Sequence, residues 1–195
     1  MDRFHSKNEW QLRMRNRFLP FYYRREFSEY EFIKYGDARA EGGVDTIADG
    51  KRIDEKIVQW PKPPRDTPYD AYTLEEWSCT VPDRISPGWM MTNEVEFLLY
   101  CFASKDEQEL ICHLLDFGEL WKWFWPRVES WPKWISDEIN RTQCRVVPFW
   151  EVHATVPCKI TTISIADESV SILFRREGYS IMELADANEG CGLAS

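Results

Sequence analysis

The sequence predicts an α/β domain in which a mixed central β-sheet is flanked by helices. Three observations lead to this class. Residues 4–19 carry apolar and basic side chains at helical spacing, residues 42–56 have the pattern of a β-hairpin, and residues 106–125 return to helical spacing. Helices before and after a group of strands are typical of a sheet covered by helices.

The first elements are a helix, a strand and a hairpin. Helix 4–19 is expected to stop before Pro20, and the alternating residues 29–36 predict a strand that ends at Gly36. The hairpin follows. Four prolines then predict an irregular loop over residues 58–72.

Two further strands are predicted at residues 73–81 and 94–103, joined by residues 82–93. The helical pattern of residues 106–125 comes next, with a break expected near Gly118.

The C-terminal part is expected to add one helical region and two strands. The helical region covers residues 126–142 and is interrupted by Pro132, and the strands cover residues 144–157 and 159–166. Because no linker divides the chain, we expect one domain over residues 1–195. Within this domain we expect a core over roughly residues 4–125, C-terminal helices and strands over residues 126–185, and a frayed tail over residues 186–195.

The charge balance excludes a surface that is basic throughout. The chain has 24 Lys and Arg against 33 Asp and Glu, a formal net charge of −9. This argues against indiscriminate nucleic-acid binding but not against a nuclease, whose metal-binding carboxylates are themselves negative. Residues 1–35 are the exception with a net charge of +3, either as a solvated helix face or as a phosphate-binding face.

The six cysteines include no CxxC pair, and no histidine lies at metal-ligand spacing from them, which argues against zinc. We assign no chemistry to the three histidines, His5, His113 and His153. Unpaired cysteines in apolar runs and no N-terminal signal pattern lead us to expect a reducing, cytoplasmic setting. No stretch approaches the roughly 20 apolar residues that a membrane span needs.

The hairpin carries the arrangement that suggests chemistry. With Asp49 and Gly50 as the two residues of a type I′ turn, Asp45 lies opposite Asp54. Counting outward from the turn makes this a non-hydrogen-bonded pair, whose Cα atoms approach to about 4.5 Å. Period-two alternation puts Lys56 on the same face as Asp54.

Two opposed carboxylates repel each other, and a hard divalent cation such as Mg²⁺ would remove that conflict. The plain alternative is a surface hairpin with both acids solvated and Lys56 in a weak salt bridge.

The segment "GGVDTIADGKRIDEK" resembles the PD-(D/E)XK nuclease superfamily, the restriction-endonuclease-like and Holliday-junction-resolvase-like enzymes, especially small phage and bacterial members. In that pattern an acid opens one strand and an acid-x-Lys triplet lies on the next, here Asp45 and then Asp54-Glu55-Lys56. The likeness is firm over residues 42–56, and Val44 stands where the family has Pro.

The resemblance implies a restriction-endonuclease-like fold and Mg²⁺-dependent hydrolysis of DNA, with Mn²⁺ able to substitute. Asp45 and Asp54 would bind the metal, and Lys56 would complete the catalytic set. Glu9 in the first helix and Glu76 in the strand after the proline-rich loop are candidate additional acids. Glu75 and Glu76 alternate to opposite faces, so only one of them can point at the site. Glu76 is preferred because Trp77 and Cys79, on the other face, have the pattern of core residues.

DNA rather than RNA is the expected substrate. The candidate contacts to its backbone are four basic residues, Arg13, Arg17, Lys51 and Arg52. A homodimer is a further expectation of the resemblance, although no sequence feature identifies an interface.

Two other functions stay open at this point. One is a non-catalytic domain on the same fold that binds nucleic acid or a partner protein. The other is an acidic inhibitor that uses the −9 charge to mimic DNA.

Overall fold

The computed structural model describes residues 3–34, 43–59, 71–135, 140–164 and 170–174, which form two β-sheets with helices around them. The helices are α1 (Arg3–Glu26), α2 (Trp89–Thr92), α3 (Phe117–Phe124) and α4 (Phe149–His153), with 3₁₀ segments at Pro82–Arg84 and Trp125–Ser130. The strands are β1 (Tyr30–Phe32), β2 (Thr46–Ala48), β3 (Lys51–Gln59), β4 (Ala71–Cys79), β5 (Ser86–Pro87), β6 (Phe97–Ala103), β7 (Glu109–Asp116), β8 (Lys133–Ile135), β9 (Gln143–Pro148), β10 (Cys158–Ser164) and β11 (Val170–Phe174).

The larger sheet has seven strands in the order β1-β2-β3-β6-β7-β10-β11. It is mixed, because β3 and β6 pair in parallel while the other neighbours are antiparallel. The predicted mixed sheet with flanking helices is therefore confirmed. A second sheet of four strands, in the order β5-β4-β9-β8, was not expected.

Each face of the larger sheet has its own apolar core. On one face, α1 packs buried side chains such as Phe18 and Tyr22 against Ile53, Ile57 and Leu99. The other core joins the larger sheet to the second sheet and α3, and it includes Leu98, Tyr100, Phe102, Tyr72, Leu74, Leu120 and Phe124. A residue of β3 therefore faces either α1 or the second sheet.

Helix α1 does not stop at Pro20, and the expected end at residue 19 is wrong. A proline inside a helix removes one backbone hydrogen bond, yet α1 continues to Glu26. Tyr22 and Tyr23, just beyond the proline, are fully buried against the sheet. Burial of these two rings offsets the local cost.

The predicted helix over residues 106–125 is wrong in its first part. Residues 109–116 form β7, which pairs with β6 along its length. This apolar run has no clear polar face, so periodicity alone does not separate a buried strand from a helix. Helix α3 begins only after Asp116, whose carboxylate accepts a hydrogen bond from the Glu119 N–H at 2.9 Å.

The C-terminal part is built into both sheets. Strand β9 pairs with β4 and β10 pairs with β7, so both expected late strands are present. The strand predicted over residues 144–157 is shorter than expected, because α4 follows β9 from Phe149. The expected helical region over 126–142 is instead a 3₁₀ segment followed by β8. Most of the proline-rich loop and the tail at 186–195 lie outside the described residues. No helix in the described ranges has the length and apolarity to cross a membrane.

Candidate active site

From Thr46 to Ile53 the hairpin has the register that the sequence predicted, but the regular pairing does not extend to Asp45 and Asp54. Asp49 and Gly50 both have positive φ, 45° and 73°, as a type I′ turn requires. Ala48 pairs with Lys51, and the pairing continues to Thr46 opposite Ile53. Asp45 directly precedes β2 and its N–H donates to the Ile53 carbonyl at 2.9 Å, so Asp45 stands beside Asp54.

Asp54 and Lys56 lie on the face of β3 that looks toward the second sheet. The Asp54 side chain is fully buried, and the Lys56 Nζ lies 2.5 Å from its Oδ1. The Lys56 side chain keeps 29% of its surface exposed.

Glu55 faces the other way, toward α1, as strand alternation predicts. Its carboxylate accepts hydrogen bonds from the Tyr23 hydroxyl at 2.7 Å and the Thr46 hydroxyl at 2.5 Å, and it forms an ion pair with Arg15 at 2.6 Å. These contacts hold Glu55 in the fold and leave Asp54 as the acid beside Lys56.

Asp45 carries the electrostatic conflict of the site. Burial, followed by the charges of Asp54 and Glu55 and a hydrogen bond with Asp54, raises the pKa of the Asp45 carboxyl to about 7. Its Oδ2 also accepts a hydrogen bond from the Glu55 N–H at 2.8 Å. The Asp45 carboxyl is therefore only partly ionised near neutral pH, and it repels Asp54 once its proton is lost.

Asn93 is a member of the site that the sequence did not identify. Its Nδ2 donates to Asp54 Oδ2 at 2.5 Å, so both oxygens of Asp54 have partners. Gly43 makes this approach possible, because it has a φ of 82° and a Cβ there would collide with the Asn93 side chain. The glycines before Val44 were a sign that another group could approach the backbone closely there. No feature of the sequence identified Asn93 as that group.

Lys56 is held as a charged ammonium. Burial alone would lower its pKa, but the carboxylates of Asp54 and Asp45 raise it above the ordinary value. The Trp89 ring lies beside it, with its centroid 5.2 Å from Nζ. Lys56 is therefore suited to bind an anion or orient a water molecule, and not to take up a proton.

The expectation that Glu76 faces the pair is wrong. Its carboxylate accepts hydrogen bonds from Arg145 at 2.8 Å and Gln143 at 2.6 Å within the second sheet. Glu75 is the acid whose negative charge contributes to the raised pKa of Lys56. The pairing of β4 with β9 shifts between residues 75 and 77, so simple alternation fails there.

The structure does not bring Glu9 to the pair, because its side chain is exposed on α1 and α1 covers the opposite face of the sheet. The helix residue that reaches the hairpin is Arg15, whose Nη2 donates to the Asp45 carbonyl at 2.6 Å. Arg13, a candidate contact to the DNA backbone, forms an ion pair with Glu107 at 2.9 Å.

The remaining basic candidates lie at separate places. Arg17 is on α1, with its guanidinium 5.4 Å from the Phe18 ring centroid. Lys51 is exposed at the start of β3, and Arg52 beside it binds Glu96 at 3.2 Å.

The donor set around Asp54 fits a hard divalent cation. Asp45 and Asp54 offer carboxylate oxygens, which Mg²⁺ and Mn²⁺ prefer. A bound cation would also relieve the repulsion that raises the pKa of Asp45. Three other side chains in the described part of the chain come close enough to share an ion, His113, His153 and Cys158. No family model, curated protein or solved structure matches the chain.

Proposed function

We propose that this protein is a metal-dependent phosphodiesterase that hydrolyses DNA, with a restriction-endonuclease-like arrangement of helix α1, strand β1, the β2–β3 hairpin and the parallel strand β6. One observation carries the proposal. Asp45 and Asp54 interact directly, and Lys56 lies against Asp54 on the same face of the hairpin. This set of side chains binds cations and phosphate better than it stabilises a fold.

Asp45 and Asp54 would hold one or two Mg²⁺ ions, and Mn²⁺ would substitute. When bound, the metal would supply an activated water and charge neutralisation at the phosphate. Asn93 positions the Asp54 carboxylate through its hydrogen bond, and its own orientation is fixed by the close approach of Gly43.

Lys56 would then exchange its bond to Asp54 for one to a non-bridging phosphate oxygen. Its raised pKa keeps the ammonium charged, so it stabilises the negative charge that develops in the transition state. Trp89 restricts the ammonium to one side. The exposed Lys51 at the start of the same strand is the basic residue best placed to contact the DNA backbone.

The test is cleavage of labelled duplex and single-stranded DNA with Mg²⁺ or Mn²⁺. Asp54→Asn and Lys56→Ala should each lower the rate by at least about 100-fold. Glu96→Gln and Lys122→Ala are the matched controls, since each removes a charge from an exposed surface pair. Both controls should cleave at the wild-type rate. Cleavage that persists in Asp54→Asn and Lys56→Ala would reject the assignment.

The alternative is a non-catalytic domain on the same fold, and one observation favours it. Both oxygens of Asp54 already have partners, in Lys56 and Asn93, so the site is satisfied without a ligand. A calorimetric Mn²⁺ titration separates the two readings. Binding that is lost in Asp54→Asn supports the enzyme, whereas no binding together with no cleavage supports the non-catalytic domain.

A further inference from the structure

A second group of ligand-type side chains lies at the core between the two sheets, away from the hairpin. His113 is on β7, His153 ends α4 and Cys158 begins β10, and their ligand atoms all lie within 4.8 Å of one another. Strand pairing explains the approach. Ile160 is in register with His113, so Cys158, two residues earlier, points to the same face.

Tyr72, from β4 of the second sheet, completes the group. Its hydroxyl oxygen lies 2.6 Å from Nδ1 of His113 and 2.6 Å from Nε2 of His153. Two imidazole nitrogens, a thiol and a phenol oxygen thus converge from four elements that are distant in sequence. This is the number of donor atoms in a closed tetrahedral zinc site.

The surroundings suit such an ion. Phe149 packs its ring 4.9 Å from His113 and 4.4 Å from Tyr72, between ring centroids, and forms an apolar wall around the donors.

We propose that His113, His153 and Cys158 bind a Zn²⁺ ion, with the Tyr72 hydroxyl at the fourth position, and that this ion ties the second sheet to the larger one. Ligands around Zn²⁺ are separated by about 3.5 Å at ordinary bond lengths. Ion binding would therefore draw together the His113, His153 and Cys158 ligand atoms, which lie within 4.8 Å of one another, and would lengthen the two 2.6 Å contacts of the Tyr72 oxygen. Nitrogen and sulfur donors select zinc over magnesium.

This site is distinct from the hairpin acids. His113 is in register with Tyr100, and Tyr100 with Lys56, so His113 lies two strands away, roughly 10 Å across the sheet. The zinc proposal does not depend on the proposed nuclease activity. A plain hydrogen-bonded His-Tyr-His network without an ion is the competing explanation.

The experiment uses the full chain after chelator treatment, titrated with Co²⁺ as a spectroscopic substitute for Zn²⁺. We expect a thiolate-to-cobalt charge-transfer band and intense tetrahedral visible bands, both displaced by Zn²⁺. Cys158→Ser should abolish the charge-transfer band, whereas Cys79→Ser, a buried cysteine outside the group, should retain it. Asp54→Asn should also retain the band, which separates this site from the hairpin.

Tyr72→Phe keeps the ring but removes the hydroxyl, and it should weaken Zn²⁺ binding by at least about 10-fold. A measurement that needs no variant guards against a misfolded mutant. In the wild-type chain, Zn²⁺ should protect Cys158 from alkylation, as read by mass spectrometry. No charge-transfer band at excess Co²⁺, or Cys158 alkylated equally with and without Zn²⁺, would overturn the proposal in favour of the hydrogen-bonded network.

Discussion

The hairpin and the second sheet each bury carboxylates, but they neutralise them differently. In the second sheet a buried arginine does so, whereas at the hairpin one acid has a raised pKa. Arg145 is only 1% exposed, yet its guanidinium donates to Glu76, to Glu129 and to the Trp131 carbonyl, each within 2.9 Å. Burial alone would raise the pKa of Glu76, but the hydrogen bonds from Arg145 and Gln143 lower it. At the hairpin, the pKa of Asp45 is instead raised to about 7.

The difference lies in the local charge balance. Beside Glu76 and Glu129, the cations are Arg145 and Lys133. At the hairpin, Arg15 pairs with Glu55 and Lys56 pairs with Asp54. These two cations face three acids, and the negative charges of Asp54 and Glu55 raise the pKa of Asp45. Loss of one partner from a balanced buried group leaves an uncompensated charge, whereas the excess of acid at the hairpin is the arrangement that the proposed cation would complete.

Removal of one partner from the balanced pair should have the largest effect on stability. Glu76→Ala leaves the Arg145 guanidinium buried without its buried carboxylate partner, and we expect the free energy of unfolding to fall by about 3 kcal/mol. Denaturant unfolding measures the change. Glu129→Ala is the control, because the Glu129 side chain is 74% exposed and its removal should cost less than about 1 kcal/mol. Equal losses in both variants would contradict the comparison.

The same comparison shows what the sequence could and could not predict. The hairpin register followed from local rules, because an Asp-Gly turn sets which residues face each other. The Glu76–Arg145 pair joins residues 69 positions apart. The sequence predicted a strand around Arg145 but not which strand it would pair with. Local pattern therefore predicted that Asp45, Asp54 and Lys56 lie close together. It chose Glu76 as the acid nearest to them, although the charge of Glu75 is the one that acts on Lys56.

The unbalanced hairpin should respond in the opposite direction when an acid is neutralised. The folded-state pKa of Asp45 lies above its unfolded value. Its contribution to the free energy of unfolding is therefore fully present below about pH 4 and is lost as pH rises through 7. In chelator, Asp45→Asn should be more stable than wild type by about 2 kcal/mol at about pH 8.5, after allowance for the partial exposure of this carboxyl. At about pH 4 the two should be equal.

Denaturant unfolding across this pH range tests the expectation. Asp106→Asn is the control, because Asp106 is an exposed acid in the turn between β6 and β7 whose pKa is lowered by its hydrogen bond with Ser104. That variant should show no stabilisation at alkaline pH. A wild-type protein that becomes more stable between pH 5 and pH 8, with Asp45→Asn unchanged relative to it, would refute the raised pKa.

Residues outside the hairpin were harder to predict because tertiary packing brings them in. Asn93 follows α2, and its contact with Asp54 spans 39 residues. His113, His153 and Cys158 reach one another only because β7 and β10 are neighbours and α4 precedes β10. Because residues 109–116 were expected to be helical, no sequence pattern placed His113 beside a strand that begins at Cys158.

The smallest expected effect distinguishes the two adjacent glutamates directly. Glu75 contributes the weakest of the negative charges that raise the pKa of Lys56, behind Asp54 and Asp45. Glu75→Gln keeps a hydrogen-bond acceptor for Ser78 and should lower the pKa of Lys56 by less than about one unit. Alkaline NMR titration of lysine labelled at Cε measures this shift. Glu76→Gln is the matched control, because the Glu76 carboxylate is bound by Arg145 and Gln143, and it should leave the pKa of Lys56 at its wild-type value. A larger shift from Glu76→Gln than from Glu75→Gln would mean that the balanced pair also acts on the hairpin, and the separation of the two regions would fail.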